Sequence, residues 1–503
     1  MFKSIRQLLS KYFDRHPAVK RTAGWLGKRK RKLTIWLFIF AHLAGALTSA
    51  RAILEVRTAQ GAIAWAVALN TVPYVSVPAY WVLGRSKFQG YIIARRKDFA
   101  YTSPIQQQYL ANLTYRGLLT YPTLGHAQTI EKLARMRFTT GNDAELLVDG
   151  DATFASIFAG IEQATNYVLV EFYIIRKDST GEELKRRLME KARQGVRVHV
   201  LFDEVGSADL HKSSSAELRN AGVEVRSFDT TQGRANRWQL NFRNHRKIVV
   251  VDGQTAWVGG LNVGDEYVGR DPAIGNWRDT HVKVTGPAVQ GVQVTFFEDW
   301  HWASQETLEL DWDPQPAASG ARRTALALPT GPADELETCT LFFLNAINTA
   351  TNRLWLASPY FVPDEQFISA LQLAALRGVD VRVLLPDQID NKLVQLSGWS
   401  YLDELEKVGI KVYRYQKGLM HQKVMFIDDL YCTIGTANFD NRSFRLNFEI
   451  TMVFADAEFA NQVRRMLEQD FADAKPVKAQ ELKARGFWFR FSVRCARLMA
   501  PVQ

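Results

Sequence analysis

One polar signature occurs twice in this chain. Asn244 to Asn262 reads NHRKIVVVDGQTAWVGGLN, and Met420 to Asn438 reads MHQKVMFIDDLYCTIGTAN. His245, Lys247, Asp252, Gly260 and Asn262 answer to His421, Lys423, Asp428, Thr436 and Asn438, all at an offset of 176 residues. A fixed offset across several polar positions marks an internal duplication, so the fold must hold two like units.

The spacing carries chemistry. In a strand, residues two apart share a face, so each His is expected to project with its Lys. The apolar runs Ile248–Val251 and Val424–Ile427 continue as buried strand, and Asp252-Gly253 and Asp428-Asp429 read as turns. An imidazole serves as nucleophile or general acid near neutral pH. A neighbouring Lys offers a cation to a phosphate oxygen, and a Gly-rich turn with Asn offers N–H donors. Two such sets brought together suit displacement at a phosphodiester: one His attacks phosphorus, the other protonates the leaving alkoxide.

The doubled pattern H-x-K-x4-D-x6-G-(G/T)-x-N resembles the phospholipase D superfamily and, within it, the bacterial cardiolipin synthases. GRSKFQGY at Gly84–Tyr91, DEVGS at Asp203–Ser207 and WRDTHVKVTGPAV at Trp277–Val289 add to the likeness. So do SPYFVPDE at Ser358–Glu365 and NFDNRSFRLNFE at Asn438–Glu449. Gly260 and Thr436 stand where many members have Ser. The resemblance implies two phosphatidylglycerols giving cardiolipin and glycerol through a phosphatidyl-histidine. It implies His245 as nucleophile and His421 as acid and base. Lys247, Lys423, Asn262, Asn438, Gly260 and Thr436 are expected at the phosphate. Asp252 and Asp428 complete the motif and are expected to fix loops and lysines, and Asp279 and Glu449 to orient the imidazoles. No metal and no cofactor are expected.

The rest of the chain fills in the architecture. From Ala144, helix and strand patterns alternate: Phe154–Thr165, Tyr167–Ile174, Gly181–Gln194 and Val196–Phe202, then again Thr338–Thr349, Arg353–Ala357, Glu365–Arg377 and Val379–Leu385. The expected fold is α/β, with two duplicated lobes, each a largely parallel sheet with helices on both faces. The lobes span 144–304 and 333–474, joined by an Ala-, Gly- and Pro-rich linker at 305–332 and preceded by a connector at 85–143.

Both ends are basic. Residues 1–32 hold eleven Lys/Arg against Asp14 alone, and 475–499 hold seven against Glu481. The chain's net charge is +11, so the remainder is mildly acidic, which argues against nucleic acid as partner and for anionic lipid. Leu33–Ala50 and Thr58–Gly84 carry no charge, the second with Pro73 and Pro78 inside. Residues 33–84 therefore read as a membrane helical hairpin. Its first arm is short, near the lower limit of about 17 residues for a span, so a re-entrant form stays open. Basic residues flank it at Lys28–Lys32 before, and at Arg85, Lys87, Arg95, Arg96 and Lys97 after, which places both flanks and the lobes in the cytoplasm, on the inner membrane of a bacterium. The stretch from Gly486, with Arg490, Arg494 and Arg497 among aromatics, reads as a basic amphipathic helix, either at the lipid interface or packed on the lobes. Cys339, Cys432 and Cys495 form neither a metal spacing nor a disulfide framework.

The motifs fix phosphodiester chemistry and leave the acceptor open: a lipid hydroxyl, water, or another alcohol. A lipid-binding scaffold is the reading from another class.

Overall fold

The computed structural model describes residues 17–503 apart from 85–86, 89, 93–106, 123, 125, 209–213, 232–240, 319 and 390. The segment 1–16 and the basic flank at Arg85, Arg95, Arg96 and Lys97 lie outside the described residues. The chain divides into an N-terminal unit, up to residue 86, and a body.

In the N-terminal unit, helix α1 (Pro17–Glu55) contains a 25-residue stretch, Arg31–Glu55, long and apolar enough to cross a membrane. Leu33, Trp36, Phe40 and Leu47 on it are exposed. The second apolar run is not one helix, as the hairpin reading expects, but two: α2 (Ala59–Thr71) and α3 (Pro73–Leu83). Pro73 has no N–H to continue the ladder, so the chain breaks at Val72. The Ser76 hydroxyl lies 2.9 and 2.8 Å from the carbonyls of Ala68 and Val72, which also accept from Val72 N and Ser76 N, and so ties the two helices together across the break. Helices of 13 and 11 residues each fall short of the ~30 Å hydrocarbon core at 1.5 Å per residue. Gly45 lets α1 and α2 touch backbone to backbone, since a Cβ there would sit 2.2 Å from Leu69 O.

The body is built on one sixteen-stranded mixed sheet. The first lobe supplies β1 (Thr139–Val148), helix α4 (Asp149–Gln163), β2 (Tyr167–Phe172), α5 (Ser179–Arg193), β3 (Arg197–Asp203) and β4 (Glu224–Phe228). It continues with β5 (Arg243–Asn244), β6 (Ile248–Val251), β7 (Thr255–Gly259), the short β8 (Trp277–Arg278), β9 (Thr280–Thr285) and α6 (Val289–Ser304). Next come β10 (Arg323–Thr330), α7 (Thr338–Thr349), β11 (Arg353–Ala357), α8 (Glu365–Leu376), β12 (Asp380–Pro386) and β13 (Lys411–Tyr415). The second lobe ends with β14 (Leu419–Met420), β15 (Val424–Ile427), β16 (Tyr431–Gly435), β17 (Asn447–Phe454), α9 (Ala457–Ala472), β18 (Ala474–Val477) and α10 (Phe487–Leu498). The sheet order is β18-β13-β12-β11-β15-β16-β17-β10-β1-β9-β7-β6-β2-β3-β4.

The strand–helix–strand units are parallel, β2-β3-β4 and β11-β12-β13, as their connections require. The strands that carry the motifs onward are antiparallel, because tight Asp turns fold β6 onto β7 and β15 onto β16. The stretch expected as a linker holds β10, which pairs antiparallel with β1 on one side and β17 on the other and so fuses the two lobes' sheets.

The strands are apolar without interruption because both faces are covered. Val168 and Val170 of β2 face α4 and α5, while Tyr167 and Leu169 face a core shared by both lobes. That core takes Val292, Phe296 and Trp300 of α6 and Val463 and Leu467 of α9. Leu354 and Leu356 of β11 face α7 and α8.

Candidate active site

Each motif begins in a two-residue parallel bridge to the other lobe. β5 runs beside the start of β17, pairing Arg243 with Asn447 and Asn244 with Phe448. β14 runs beside β8, pairing Leu419 with Trp277 and Met420 with Arg278. The ladder continues one residue further: His245 N donates to Phe448 O at 2.9 Å, and His421 N donates to Arg278 O at 2.7 Å. Each histidine is thereby set beside a carboxylate of the opposite lobe.

The pairs cross. His245 Nδ1 lies 2.9 Å from Glu449 Oε2, and His421 Nδ1 lies 2.9 Å from Asp279 Oδ2. A carboxylate only accepts, so His245 carries its proton on Nδ1 and presents Nε2, whereas His421 Nδ1 faces both the Asp279 carboxylate and the Lys423 ammonium. Both carboxylates are fully buried, and the histidines only slightly open at 11% and 9%. Glu449 also accepts from the Thr436 hydroxyl at 2.6 Å and from Asn447 Nδ2 at 3.1 Å. Burial alone would raise Asp279 and Glu449; Lys423 and His421 overcome it for Asp279, and His245 and Lys247 for Glu449, so both are held below the usual carboxylate range.

Burial pushes His245 down to about 4, and the nearby Lys247 and Lys423 charges push the same way against Glu449. A neutral imidazole with Nε2 free of its proton is what attack on phosphorus needs. Lys247 is fully buried, donates to His245 O at 2.6 Å and is lowered to about 7, chiefly by burial. Lys423 Nζ lies 2.8 Å from His421 Nδ1. Neither His–Lys pair sits within a strand; the segments lie between β5 and β6 and between β14 and β15, yet each Lys returns to its own His.

Other motif residues stand elsewhere. Asp252 lies at the far end of β6 with φ 50° and accepts from Thr165 N, Thr165 Oγ1, Asn166 N and Tyr167 N at 2.7 to 2.9 Å. Asp428, with φ 54°, repeats this on Thr351, Asn352 and Arg353. These aspartates pin the loop that opens β2 or β11, touch neither lysine, and are not catalytic groups.

Gly260 and Thr436 are also corrected. Gly260 N donates to Thr280 O, and Thr436 N to Ile450 O, so neither N–H is left for an anion. A Cβ on Gly260 would meet Asp279 Oδ1 at 2.1 Å, which is why the hydroxyl-bearing residue is absent from this lobe. Asn262 Oδ1 accepts from Ile174 N at 3.2 Å, and its Nδ2 donates to Tyr267 OH at 3.3 Å. Asn438 Oδ1 is buried and has no hydrogen-bond partner among the described residues.

Two buried ion pairs escape a reading of the sequence. Arg246 pairs with Asp299 and donates through Nε to Glu449 O at 3.1 Å. Arg278 binds Asp470 through Nε and Nη2, both at 2.7 Å, and Gln422 donates to the same carboxylate at 2.9 Å. Each guanidinium holds the backbone of an orienting carboxylate, since Arg278 Nη1 also donates to Asp279 O at 2.6 Å. The available signal was positional: Arg246 and Gln422 occupy the same slot between His and Lys. Among the described residues, no three His, Cys, Asp or Glu side chains gather as a metal-binding group.

Two fused lobes with reciprocal histidine–carboxylate contacts make this an enzyme of the phospholipase D type. The family described as "Cardiolipin synthase, PLD-like domain" matches residues 157–300 and 343–471. The chain is 45% identical over 474 residues to cardiolipin synthase A of Pseudomonas entomophila (strain L48), across 93% of this chain and 98% of that protein. The same identity and shares hold for cardiolipin synthase A of Pseudomonas putida (strain GB-1). Phosphatidylserine synthase of Haemophilus influenzae Rd KW20 shares the fold, with a TM-score of 0.55 at 14% identity over 72% of this chain and 95% of that one. The chain belongs to the cardiolipin synthase family of phospholipase D-like phosphatidyltransferases.

Proposed function

We propose that the chain joins two phosphatidylglycerols into cardiolipin and glycerol. His245 Nε2 attacks the donor's phosphorus; the P–N bond forms as the P–O bond to glycerol breaks. Protonated His421 gives its proton to the departing alkoxide. The terminal hydroxyl of the second lipid then returns a proton to His421, its oxygen bonds to phosphorus, and the P–N bond breaks. Lys247 and Lys423 stabilise the non-bridging oxygens. An arriving phosphate restores the charge that burial draws from Lys247.

The observation that carries this reading is the reciprocal pairing of His245 with Glu449 and His421 with Asp279 in a chain 45% identical to proteins named cardiolipin synthase A. Asn262 and Asn438 are assigned to loops beside the phosphate, Asn438 with its free Oδ1 toward a substrate hydroxyl.

The apolar stretch Arg31–Glu55 supports membrane anchoring. We place the protein in the bacterial inner membrane, with a second crossing by α2 and α3 and the lobes in the cytoplasm, on the charge of the flanks. Phosphatidylglycerol and other anionic phospholipids are its assigned partners.

Purified protein given labelled phosphatidylglycerol tests the reaction by mass spectrometry. Cardiolipin with stoichiometric glycerol is expected. Phosphatidic acid alone would make it a hydrolase, and unchanged lipid would leave a scaffold.

A further inference from the structure

Two arginines from different lobes flank the bridge between β5 and β17 that leads into His245. Arg243 opens β5 two residues ahead of His245, and the ladder runs on through the His245 N–H. Arg442 lies in the one-turn helix Asn441–Arg445 just before β17, the strand that flanks β5. The Tyr173 ring stands edge-on to the His245 imidazole at 5.2 Å and feels both guanidinium charges.

The pair is a like-charge pair. Arg442 donates through Nη1 to Asn241 Oδ1 at 2.9 Å and through Nη2 to Asn241 O at 2.7 Å. Arg243 donates through Nη1 to Phe242 O at 2.6 Å. Among the described residues, these bonds include no carboxylate. Burial and the charge of Arg243 hold Arg442 below the usual arginine range. The acids that act on it are engaged by backbone: Asp440 by Ser443 N at 2.7 Å, and Asp203 by Val205, Gly206 and Asn244 N at 3.0 Å. Two half-buried guanidiniums that repel each other and retain N–H donors make a site waiting for an anion.

We infer that Arg243 and Arg442 hold the phosphodiester of the acceptor lipid while the donor's phosphate is on His245. This rests on the cardiolipin reading above. The attacking hydroxyl of phosphatidylglycerol is separated from that lipid's own phosphate by a three-carbon glycerol, so a second phosphodiester must lie close to the first. Lys247 and Lys423 serve the donor phosphate. Water or a neutral alcohol brings no second phosphate.

A partition experiment tests this. The full chain is given phosphatidylglycerol in detergent with ethanol added. The phosphatidyl-histidine then divides between a second phosphatidylglycerol, giving cardiolipin, and ethanol, giving phosphatidylethanol. In both branches the acceptor oxygen replaces the His245 nitrogen on phosphorus and the hydroxyl proton goes to His421. The product ratio is independent of the first step. Arg243→Gln should lower the cardiolipin-to-phosphatidylethanol ratio at least about tenfold, the scale of one charge-assisted contact, with Arg243→Lys recovering part of it. Arg442→Gln should act alike. If loss of its Asn241 contacts prevents folding, Arg243→Gln decides alone, because among the described residues the Arg243 guanidinium bonds only to the adjacent Phe242 carbonyl. An unchanged ratio, whatever the total rate, overturns the inference while leaving the functional reading intact. Wild-type protein that makes phosphatidylethanol but no cardiolipin overturns the reading and the inference together.

Discussion

At the residue scale, the reciprocal pairs make Glu449 and Asp279 as consequential as the histidines they hold. A carboxylate fixes the Nδ1–H tautomer; an amide in its place can donate instead and leave the proton on Nε2. Glu449→Gln is therefore expected to keep the fold and lose on the order of 10²-fold to 10⁴-fold in kcat, the scale set by comparable triads. Near-wild-type turnover in that variant would remove the tautomer argument. His245→Ala and His421→Ala should each abolish cardiolipin formation, as nucleophile and acid do not substitute for each other. Retention of covalently labelled protein in His421→Ala but not in His245→Ala would assign the nucleophile. The pH profile carries its own sign. The His245 pKa is lowered from 6.5 to about 4 in the folded state, so its neutral, attacking form persists down to about pH 4. The acid limb of kcat/KM should then fall near 4, not near 6.5. The same shift means the unfolded chain binds this proton more readily between those values. The stability from a neutral His245 is whole above about pH 6.5 and fades as pH falls toward 4.

At the element scale, the structure separates what a sequence displays from what it hides. The histidines, the lysines and the duplication were legible because spacing alone shows them, and α7 and β11 fall where their patterns place them. The crossing of His245 to Glu449 was not legible, since it depends on two-residue bridges between chain segments some 200 positions apart. The strand β10 was hidden by the Ala, Gly and Pro around it, though its own residues, Arg323–Thr330, carry a plain apolar run. Helix α10 packs on the second lobe by one face only. Val493 and Ala496 are buried on the second lobe, Phe489 packs edge-on to Trp399 at 6.0 Å, and Arg497 pairs with Glu404 at 2.6 Å. Arg497 thus belongs to the packed face and not among lipid headgroups. Phe487, Trp488 and Phe491 form an exposed aromatic cluster on the other side, 51% to 76% open. Replacing these three with Ser should weaken binding to phosphatidylglycerol vesicles without moving the melting temperature, because no packing is lost. Removing the whole helix should lower both, and a triple variant that binds vesicles as well as wild type would show the cluster to be idle.

At the scale of the whole molecule, the charge around the apolar stretches predicts the side of the bilayer on which the chemistry runs. The basic run Lys28–Lys32, at the head of the apolar stretch Arg31–Glu55, predicts a cytoplasmic start for that stretch under the positive-inside rule. The side on which the body then lies is decided by α2 and α3. Neither spans alone, but end to end they hold 13 and 11 residues, about 36 Å of helix at 1.5 Å per residue, enough to return across the core with a bend at Val72. The bend is tolerable in lipid because the backbone ladder closes on both sides of it, Val72 N on Ala68 O and Ser76 N on Val72 O, with the Ser76 hydroxyl bonded across. A full return puts the lobes in the cytoplasm and the Val56–Thr58 joint outside. Thiol labelling distinguishes this from a single crossing. Cys339 and Cys432 are buried, and Cys495 on α10 is exposed. Gln60, exposed in the first turn of α2, accepts a second probe as Gln60→Cys. A membrane-impermeant maleimide added to intact spheroplasts should label Cys at position 60 and spare Cys495, which should react only after permeabilisation. Labelling of Cys495 in intact spheroplasts would put the lobes outside and leave α2 and α3 as a loop that never crosses.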